Sequence, residues 1–356
     1  MTEHRIAAIP GDGIGGEVVA QGIRVAKAAA ERFGFGCRFE DLPWGSQHYF
    51  DHGRMMPADA LSVLAGFDAI YLGAVGHPAV PDNVTLDGLL LPIRRGFEQY
   101  ANVRPAVLFP GVPTPLRETG RRIDILLVRE NTEGEYAQVG GLVHGATDGE
   151  VALQTAVFTR RGTERIVRFA FERARAEGRR SVTSVTKSNA QGHSMTFWDR
   201  VFREVAAEYP GLETSSILVD AAAMELIRRP WSFDVIVASN LFGDILSEIT
   251  ATVTGGLGLA PSANLDPSRR RPSMFEPVHG SAPDIAGKGV ANPIGAILSA
   301  AMMLAWLGEE KAAASIQDAV VRVLGEGRVR TRDLGGGSGT VEVGQAVAEA
   351  VLAGRP

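Results

Sequence analysis

The chain has 356 residues, of which 45% are hydrophobic and 22% are charged, and its formal net charge is −5. This length is sufficient for two globular domains. The acidic balance argues against a general nucleic-acid binder and against a protein of anionic membrane surfaces, because both need a basic face. The one cysteine, Cys37, excludes an internal disulfide framework. Since the first residues also carry no signal-peptide pattern, we expect a cytoplasmic protein.

Strand-like apolar runs alternate with helical patterns along most of the chain, which is typical of an α/β fold. Helices are predicted over Glu17–Phe33, stopped by Gly34, and over Thr163–Glu177, stopped by Gly178. The predicted strands are Arg5–Ile9, Phe67–Gly73, Asp124–Arg129, Val151–Thr159, Ser181–Thr186, Ile217–Val219 and Asp234–Ala238. The glycine-rich stretch 133–149 leads into the fourth of these strands, and together they predict a β arm through which subunits interlock.

Residues 289–308 contain no charged side chain and are long enough to cross a bilayer. Asn292, Pro293 and Ser299 interrupt the apolar run, and no other segment of the chain has a membrane-like composition. We therefore predict a buried core or interface helix here and no membrane partner.

Gly11, Gly13 and Gly16 follow the first strand with the spacing of the dinucleotide motif GxGxxG. Asp12 would place a negative charge in the turn that receives the pyrophosphate, and no acidic residue stands at the ribose-binding distance of about 20 residues further on. These departures favour a glycine turn that starts a helix over a Rossmann nucleotide site.

Four predicted strands are followed or closed by polar residues: Arg129, Lys187, Asp220 and Asn240. Ligands of open α/β sheets bind outside the carboxyl ends of the strands, so these four side chains are expected to line one cleft. Any one of them taken singly is better explained as a solvated or capping residue, and only the four together favour a site.

Asp244 and Glu248 stand four residues apart on a predicted helix, which places both carboxylates on one face. Such a pair is either a solvated face or, with Asp220 as a third carboxylate, a set of oxygen ligands for a divalent cation. Two further arginines, Arg94 and Arg104, could join Arg129 in a cluster that binds carboxylates.

Arg95, beside Arg94, is expected to be a solvated surface arginine. His279 lies in a segment rich in glycine, serine and proline, where the backbone can approach a ligand closely, although a structural histidine is the alternative.

The segments IPGDGIGGE, RENTEGEY, TKSN, SNLFGDILSE and FEPVHGSAPDIAGKGVANP resemble the β-decarboxylating dehydrogenases, the family of isocitrate and isopropylmalate dehydrogenases. The resemblance covers nearly the whole chain. Within the family, the segments WGSQHYFDHGRMMP, GAVGHPAVPDNVTLDG and FEQYANVRP are most similar to the branch that acts on tartrate and D-malate.

The resemblance implies a fold of two α/β domains that differs from the Rossmann fold, with a β arm at a dimer interface. Residues 1–99 and 252–356 would form a discontinuous dinucleotide-binding domain. Residues 100–251 would form the domain for substrate, metal and dimerisation.

The resemblance also implies roles for individual residues. Tyr136 and Lys187 would move protons, and Arg94, Arg104 and Arg129 would bind substrate carboxylates. The metal ligands would be Asp220, Asp244 and Glu248, although Glu248 stands where the family usually has aspartate. Lys187 and Asp220 would come from the neighbouring subunit. The dinucleotide-binding positions would be Ile14, His279, Gly280, Ser281, Ala282, Asp284 and Asn292.

The implied activity is oxidation of a (2R)-malate-type hydroxy acid by NAD, with or without β-decarboxylation. It would use Mn²⁺ or Mg²⁺, with K⁺ as an optional further cation, in a homodimer with shared active sites and no nucleic-acid partner. Asp284 favours NAD over NADP, because a carboxylate repels a 2′-phosphate.

Asp87, on the predicted helix that carries Leu90, could serve the C3 hydroxyl of tartrate. Because Leu90 would instead suit an isopropyl group, 3-isopropylmalate dehydrogenase is the alternative, followed by a non-catalytic subunit of the same fold.

Overall fold

The computed structural model describes residues 2–117 and 120–354. Strands and helices alternate along these residues. The strands are β1 Glu3–Gly11, β2 Gly36–Asp41, β3 Ala69–Ala74, β4 Ala101–Val107, β5 Asp124–Glu130, β6 Gly140–Val143, β7 Val151–Gln154, β8 Ser181–Thr186, β9 Glu213–Leu218, β10 Val235–Ala238, β11 Pro261–Leu265 and β12 Ser273–Pro277. The helices are α1 Gly15–Phe33, α2 Ser46–His52, α3 Ala60–Leu64, α4 Asp82–Thr85, α5 Leu91–Gly96, α6 Arg160–Ala176, α7 Ser194–Ala206, α8 Val219–Arg228, α9 Asn240–Val253, α10 Ile294–Trp306, α11 Glu310–Glu326 and α12 Thr340–Ala353.

Ten of the strands form one twisted sheet in the order β2-β1-β3-β12-β11-β4-β5-β10-β8-β9. The outer strands pair in parallel, whereas β12, β11, β4 and β5 pair antiparallel with one another in the middle. The sheet with its flanking helices confirms the predicted α/β class. The strands of the predicted domain 1–99 plus 252–356 lie together in one half of the sheet, and those of residues 100–251 lie in the other; the domain boundaries themselves stay a prediction.

Two helix ends show why sequence patterns located the helices well. Helix α1 ends at Gly34, which adopts a left-handed φ of 78° and donates its N–H to Ala30 O, as expected for a glycine stop. Helix α6 begins three residues earlier than predicted. The reason is Thr159, whose side-chain oxygen accepts from the N–H of Gly162 and caps the helix.

The uncharged stretch 289–308 contains the 13-residue helix α10. Ile297, Ala300 and Leu304 are completely buried in it, which confirms the predicted buried helix. In the described part of the chain, no helix is both long and apolar enough to cross a membrane.

Four strands of the main sheet were not predicted: β2, β4, β11 and β12. The predicted strand Val151–Thr159 is shorter than expected, because only Val151–Gln154 pairs, as β7, with β6. This hairpin stands outside the main sheet and exposes the apolar side chains of Leu142 and Leu153. The predicted arm is therefore present, and its role in joining subunits stays a prediction.

Candidate active site

Three arginines from three different elements meet around a cavity of about 220 Å³. Arg94 lies on α5, Arg104 on β4 and Arg129 at the end of β5, and their exposed fractions are only 6%, 8% and 1%. The cavity is lined by Gly73, Ala74, Val75, Leu86, Leu90, Leu91, Arg94, Arg104, Arg129, Tyr136, Asp244, Ser262, Glu276, Pro277, Val278, His279 and Gly280. Buried guanidinium groups of this kind are suited to binding carboxylates.

Arg129 is held at the cavity by two residues of α9. Its Nε and Nη2 donate to Asn240 Oδ1 at 3.0 and 2.7 Å, and its Nη1 donates to Asp244 Oδ1. Arg104 Nη1 lies 3.2 Å from the same Asp244 oxygen. Burial alone would raise the pKa of Asp244, but the charges of Arg129 and Arg104 outweigh it and hold that pKa below its ordinary value. Asp244 is therefore ionised at neutral pH.

Tyr136 completes this cluster from the irregular segment between β5 and β6. Its hydroxyl donates to Asp244 Oδ2 at 2.8 Å, and the Arg129 guanidinium lies 5.3 Å from the centre of its ring. Burial, together with the nearby Asp244 carboxylate, raises the pKa of Tyr136 to about 12. The phenol therefore keeps its proton across the neutral range and can act as a proton donor.

Glu276, which sequence reasoning did not single out, pairs with Arg94. Arg94 Nη2 donates to Glu276 Oε1 at 2.7 Å, and the Nδ2 of Asn264 donates to the same oxygen at 2.7 Å. The pair is almost completely buried, so it holds the arginine in one position at the cavity wall. The only available signal was the place of Glu276 in the segment FEPVHG.

Asp244 and Glu248 lie one turn apart on α9, as predicted. Glu248 is half-buried, and burial raises its pKa in spite of the nearby charge of Arg104. Asp220, the predicted third carboxylate, does not join them. Within the described residues, no three acidic, histidine or cysteine side chains gather into one metal-binding group.

Within a single copy of the chain, the four strand-end residues do not line one cleft. Arg129 and Asn240 meet, but Lys187 Nζ donates to Asp220 Oδ1 at 2.7 Å, and neither residue lines the cavity. The reason is strand order. Asp220 follows β9, at the sheet edge and three strands from β5, which at strand spacing is a displacement of about 14 Å.

Two of the predicted dinucleotide residues, His279 and Gly280, line the cavity, and the glycine turn before α1 contacts Ser281 next to them. Ile14 N donates to Ser281 O at 2.8 Å, and a Cβ on Gly13 would lie 2.0 Å from that same oxygen. This contact explains why glycine is needed in the turn. Ala282 follows with a left-handed φ of 40°.

His279 lines the cavity next to Gly280, and its Nε2 is buried without a hydrogen-bond partner among the described residues. Asp284 is exposed. The side chain of Asn292 is already satisfied, because it donates to Asp333 Oδ2 at 2.9 Å and accepts from the N–H of Ile294 at 3.1 Å. The ring nitrogen of His279 therefore remains available to a ligand among the described residues.

Asp12 has a structural role in the glycine turn. Its carboxylate accepts from Ser46 N at 2.8 Å, Ser46 Oγ at 2.7 Å and Gly76 N at 2.8 Å. This arrangement agrees with the interpretation of the motif as a helix-starting turn, because the Asp12 carboxylate places a negative charge next to the start of α1, where a phosphate would have to bind.

Two expectations for the neighbourhood of Arg94 are wrong. Asp87 is exposed and does not line the cavity, whose wall there is formed by Leu86, Leu90 and Leu91. Arg95 is partly buried and hydrogen-bonded to protein atoms, so it is not a solvated arginine.

Comparison with known proteins identifies the family to which these residues belong. The isocitrate/isopropylmalate dehydrogenase family matches residues 5–347. The chain belongs to this family. It is 53% identical to a probable tartrate dehydrogenase/decarboxylase of Bacillus subtilis (strain 168), with 96% of each chain covered. It is 50% identical to D-malate dehydrogenase [decarboxylating] of Escherichia coli (strain K12), with 99% of each chain covered.

A solved structure agrees with the same assignment. The crystal structure of isocitrate dehydrogenase from Methylococcus capsulatus is 38% identical, with a TM-score of 0.89 over 98% of this chain and 99% of that one. The predicted family and its two-domain α/β fold are thus confirmed.

Proposed function

We propose that this protein is an NAD-dependent dehydrogenase of D-malate and tartrate, which oxidises the (2R)-hydroxyl group and can decarboxylate the keto acid formed. One observation carries the proposal. Three buried arginines, an ionised aspartate and a protonated tyrosine surround a cavity of about 220 Å³ that suits a small dicarboxylate. The activities named for the relatives at 53% and 50% identity support the same substrates.

The arginines would bind the two substrate carboxylates. Because the three guanidinium groups are buried, water competes little with a substrate carboxylate for their hydrogen bonds. Bidentate hydrogen bonds from a guanidinium also fix the orientation of that carboxylate. The Nε atoms of Arg94 and Arg104 are buried and have no partner among the described residues, so donors remain for a ligand.

The chemistry of the side chains fits a divalent cation and NAD. Asp244 and Glu248 offer hard oxygen ligands, to which Asp220 of a second copy of the chain would add a third. The unpartnered Nε2 of His279 and the carboxylate of Asp284 would contact the dinucleotide. When bound, the cation supplies a Lewis acid for the substrate oxygens and NAD supplies the hydride acceptor. K⁺ is an optional further cation.

Two residues of the chain would move protons. Lys187 of the second copy takes the proton from the C2 hydroxyl as the hydroxy acid is oxidised. After loss of CO₂, Tyr136 donates its phenolic proton to the carbon that carried the carboxylate, and its raised pKa keeps that proton available. The proposal therefore requires a homodimer with shared active sites.

A substrate panel tests the proposal. Purified protein with NAD and Mn²⁺ should oxidise D-malate and at least one tartrate isomer, and EDTA should abolish the reaction until Mn²⁺ or Mg²⁺ is restored. The apolar wall of Leu86, Leu90 and Leu91 would also admit some 3-isopropylmalate, because hydrophobic pockets discriminate by only about 1–3 kcal/mol per methylene.

If kcat/KM for 3-isopropylmalate exceeded that for D-malate and tartrate tenfold, the proposed substrate would be wrong. NADP should give a lower kcat/KM than NAD, and equal values would refute the proposed role of Asp284. Catalytic inactivity with every substrate would favour a non-catalytic subunit.

A further inference from the structure

Two consecutive arginines of α5 face different parts of the molecule, because neighbouring residues of a helix point about 100° apart. Arg94 pairs with Glu276 at the cavity wall. Arg95 turns to the segment between β5 and β6, where Nη2 donates to the backbone oxygen of Tyr136 at 2.7 Å and Nη1 donates to Gln138 Oε1 at 2.6 Å.

The segment that Arg95 contacts has little regular structure of its own. A turn joins Ala137 N to Gly134 O at 3.2 Å, and Gln154 Nε2 donates to Ala137 O at 2.7 Å. Arg95 is the hydrogen-bond donor to the Tyr136 carbonyl among the described residues, and both of its bonds are charge-assisted. This guanidinium thus holds the Tyr136 carbonyl itself, while the neighbouring Glu135 carboxylate is separately hydrogen-bonded at the start of α9.

We propose that Arg95 is a positioning residue for proton transfer, which fixes Tyr136 from the opposite side of the predicted domain boundary. This inference rests on the proposed function, in which Tyr136 protonates the enol carbon. Arg95 lies in the predicted domain that contains residues 1–99 and Tyr136 in that of residues 100–251, so the hydrogen bond connects the two around the cavity.

The expected cost of losing this contact is in the proton transfer and not in substrate binding. Arg95 does not line the cavity, and its terminal nitrogens are occupied by protein oxygens. Tyr136 must bring its hydroxyl within about 3 Å of the carbon it protonates, and a displacement of about 1 Å can cost up to about 10²-fold in rate.

The test is Arg95→Met in the full-length protein, which removes both donors and keeps most of the side-chain length. One readout is exchange of the methyl protons of pyruvate in D₂O, followed by ¹H NMR in the presence of Mg²⁺ and NADH, since this exchange requires enol formation and reprotonation alone. It should slow by roughly 10- to 100-fold. The KM for D-malate and the melting temperature should stay close to wild type.

Three further variants make the test decisive. Tyr136→Phe gives the exchange rate in the absence of the proposed proton donor. Arg95→Lys keeps one charged hydrogen-bond donor and should therefore recover part of the rate lost in Arg95→Met. Arg161→Met is the matched control. Arg161 also donates a hydrogen bond to a side-chain oxygen, 2.8 Å to Glu98, but its side chain is mostly exposed and Glu98 lies outside the segment that holds Tyr136. Arg161→Met should exchange at the wild-type rate.

Each other outcome overturns the inference in a recognisable way. Wild-type exchange in Arg95→Met beside a slow Tyr136→Phe refutes the role of Arg95 and leaves the proposed function intact. Wild-type exchange in Tyr136→Phe refutes the proposed proton donor, and with it the need to position that residue. Parallel losses of exchange, substrate affinity and melting temperature in Arg95→Met would indicate a general structural role.

Discussion

The proposed reaction uses two charged pairs, Arg129 with Asp244 and Lys187 with Asp220, and their surroundings differ. Arg129 and Asp244 are joined inside the cavity, where Arg129 is almost completely buried and Asn240 and Tyr136 supply further hydrogen bonds. Lys187 and Asp220 form a single hydrogen bond at the sheet edge, and the Asp220 side chain is 65% exposed. The first group is complete within one chain, whereas the proposed function requires the second group to act in the site of another copy of the chain.

The difference is physical as well as positional. A buried ion pair is costly to break, because removing one partner leaves an unpaired charge in a medium of low dielectric constant. An exposed pair contributes little to stability, since water and salt screen it. Substitutions in the exposed group should therefore change catalysis without stability, whereas those in the buried group should change both.

The largest effect is expected for Lys187→Met. Loss of the proposed proton acceptor should lower kcat by about 10²–10⁴, the usual contribution of a positioned base. The free energy of unfolding should change by less than about 1 kcal/mol, because the pair with Asp220 is solvent-exposed. Steady-state kinetics and urea unfolding of the same preparation measure both quantities. Full activity would refute the proposed role of Lys187.

Arg129→Met should lower stability as well as activity, because this arginine is both buried and proposed to bind substrate. Without this guanidinium, Asp244 loses its main counter-charge and Asn240 Oδ1 loses both donors, so the free energy of unfolding should fall by about 3–5 kcal/mol. Urea unfolding measures this loss, and Arg161→Met, in a largely exposed pair, serves as the control with less than about 1 kcal/mol. Equal losses in the two variants would contradict the comparison.

A mixed dimer tests whether the exposed pair serves a second copy. One chain carries Lys187→Met and the other Asp244→Asn, each with its own affinity tag, and the heterodimer is purified through both tags. If the sites are shared, one of the two contains no substitution, so about half of the wild-type activity should return. Both homodimers should be inactive. An inactive heterodimer would show that each chain uses its own Lys187.

Sequence reasoning located elements with strong local signals and missed those that depend on pairing. The strand Ser181–Thr186 was predicted with its observed ends, because its apolar and β-branched residues stand between clear breaks. The strand Pro261–Leu265 was missed. It is short, begins with proline, and carries the buried polar residue Asn264, whose side-chain oxygen accepts from Asn102 of β4 and from Asn131 just after β5.

The site was predicted more completely than its assembly. Residue types indicated the arginines and carboxylates, and the resemblance supplied their roles. The sequence does not reveal that Arg94 pairs with Glu276, 182 positions away, or that β9 lies at the sheet edge. The prediction that Arg95 is a solvated arginine was wrong for a related reason. Its partner oxygens belong to a segment with no regular structure, which sequence patterns do not locate.

The smallest predicted effect is a difference between Asp244 and Asp220 in how their contribution to the free energy of unfolding depends on pH. Asp244 and Asp220 both have lowered pKa values, the first because arginine charges outweigh its burial and the second through its hydrogen bond from Lys187. A lowered carboxylate pKa adds stability that is fully present above the unfolded value, about 4, and is lost as the pH falls through the folded value.

Urea unfolding of wild type and Asp244→Asn, compared at each pH, should therefore give a constant difference from about pH 7 to about pH 5 that shrinks below about pH 4. Asp220→Asn should follow the wild-type curve throughout, because that carboxylate is exposed and its ion pair is screened. A difference for Asp220→Asn as large as that for Asp244→Asn would mean that the edge pair is buried in the assembled protein, since only a desolvated pair can link protonation so strongly to folding.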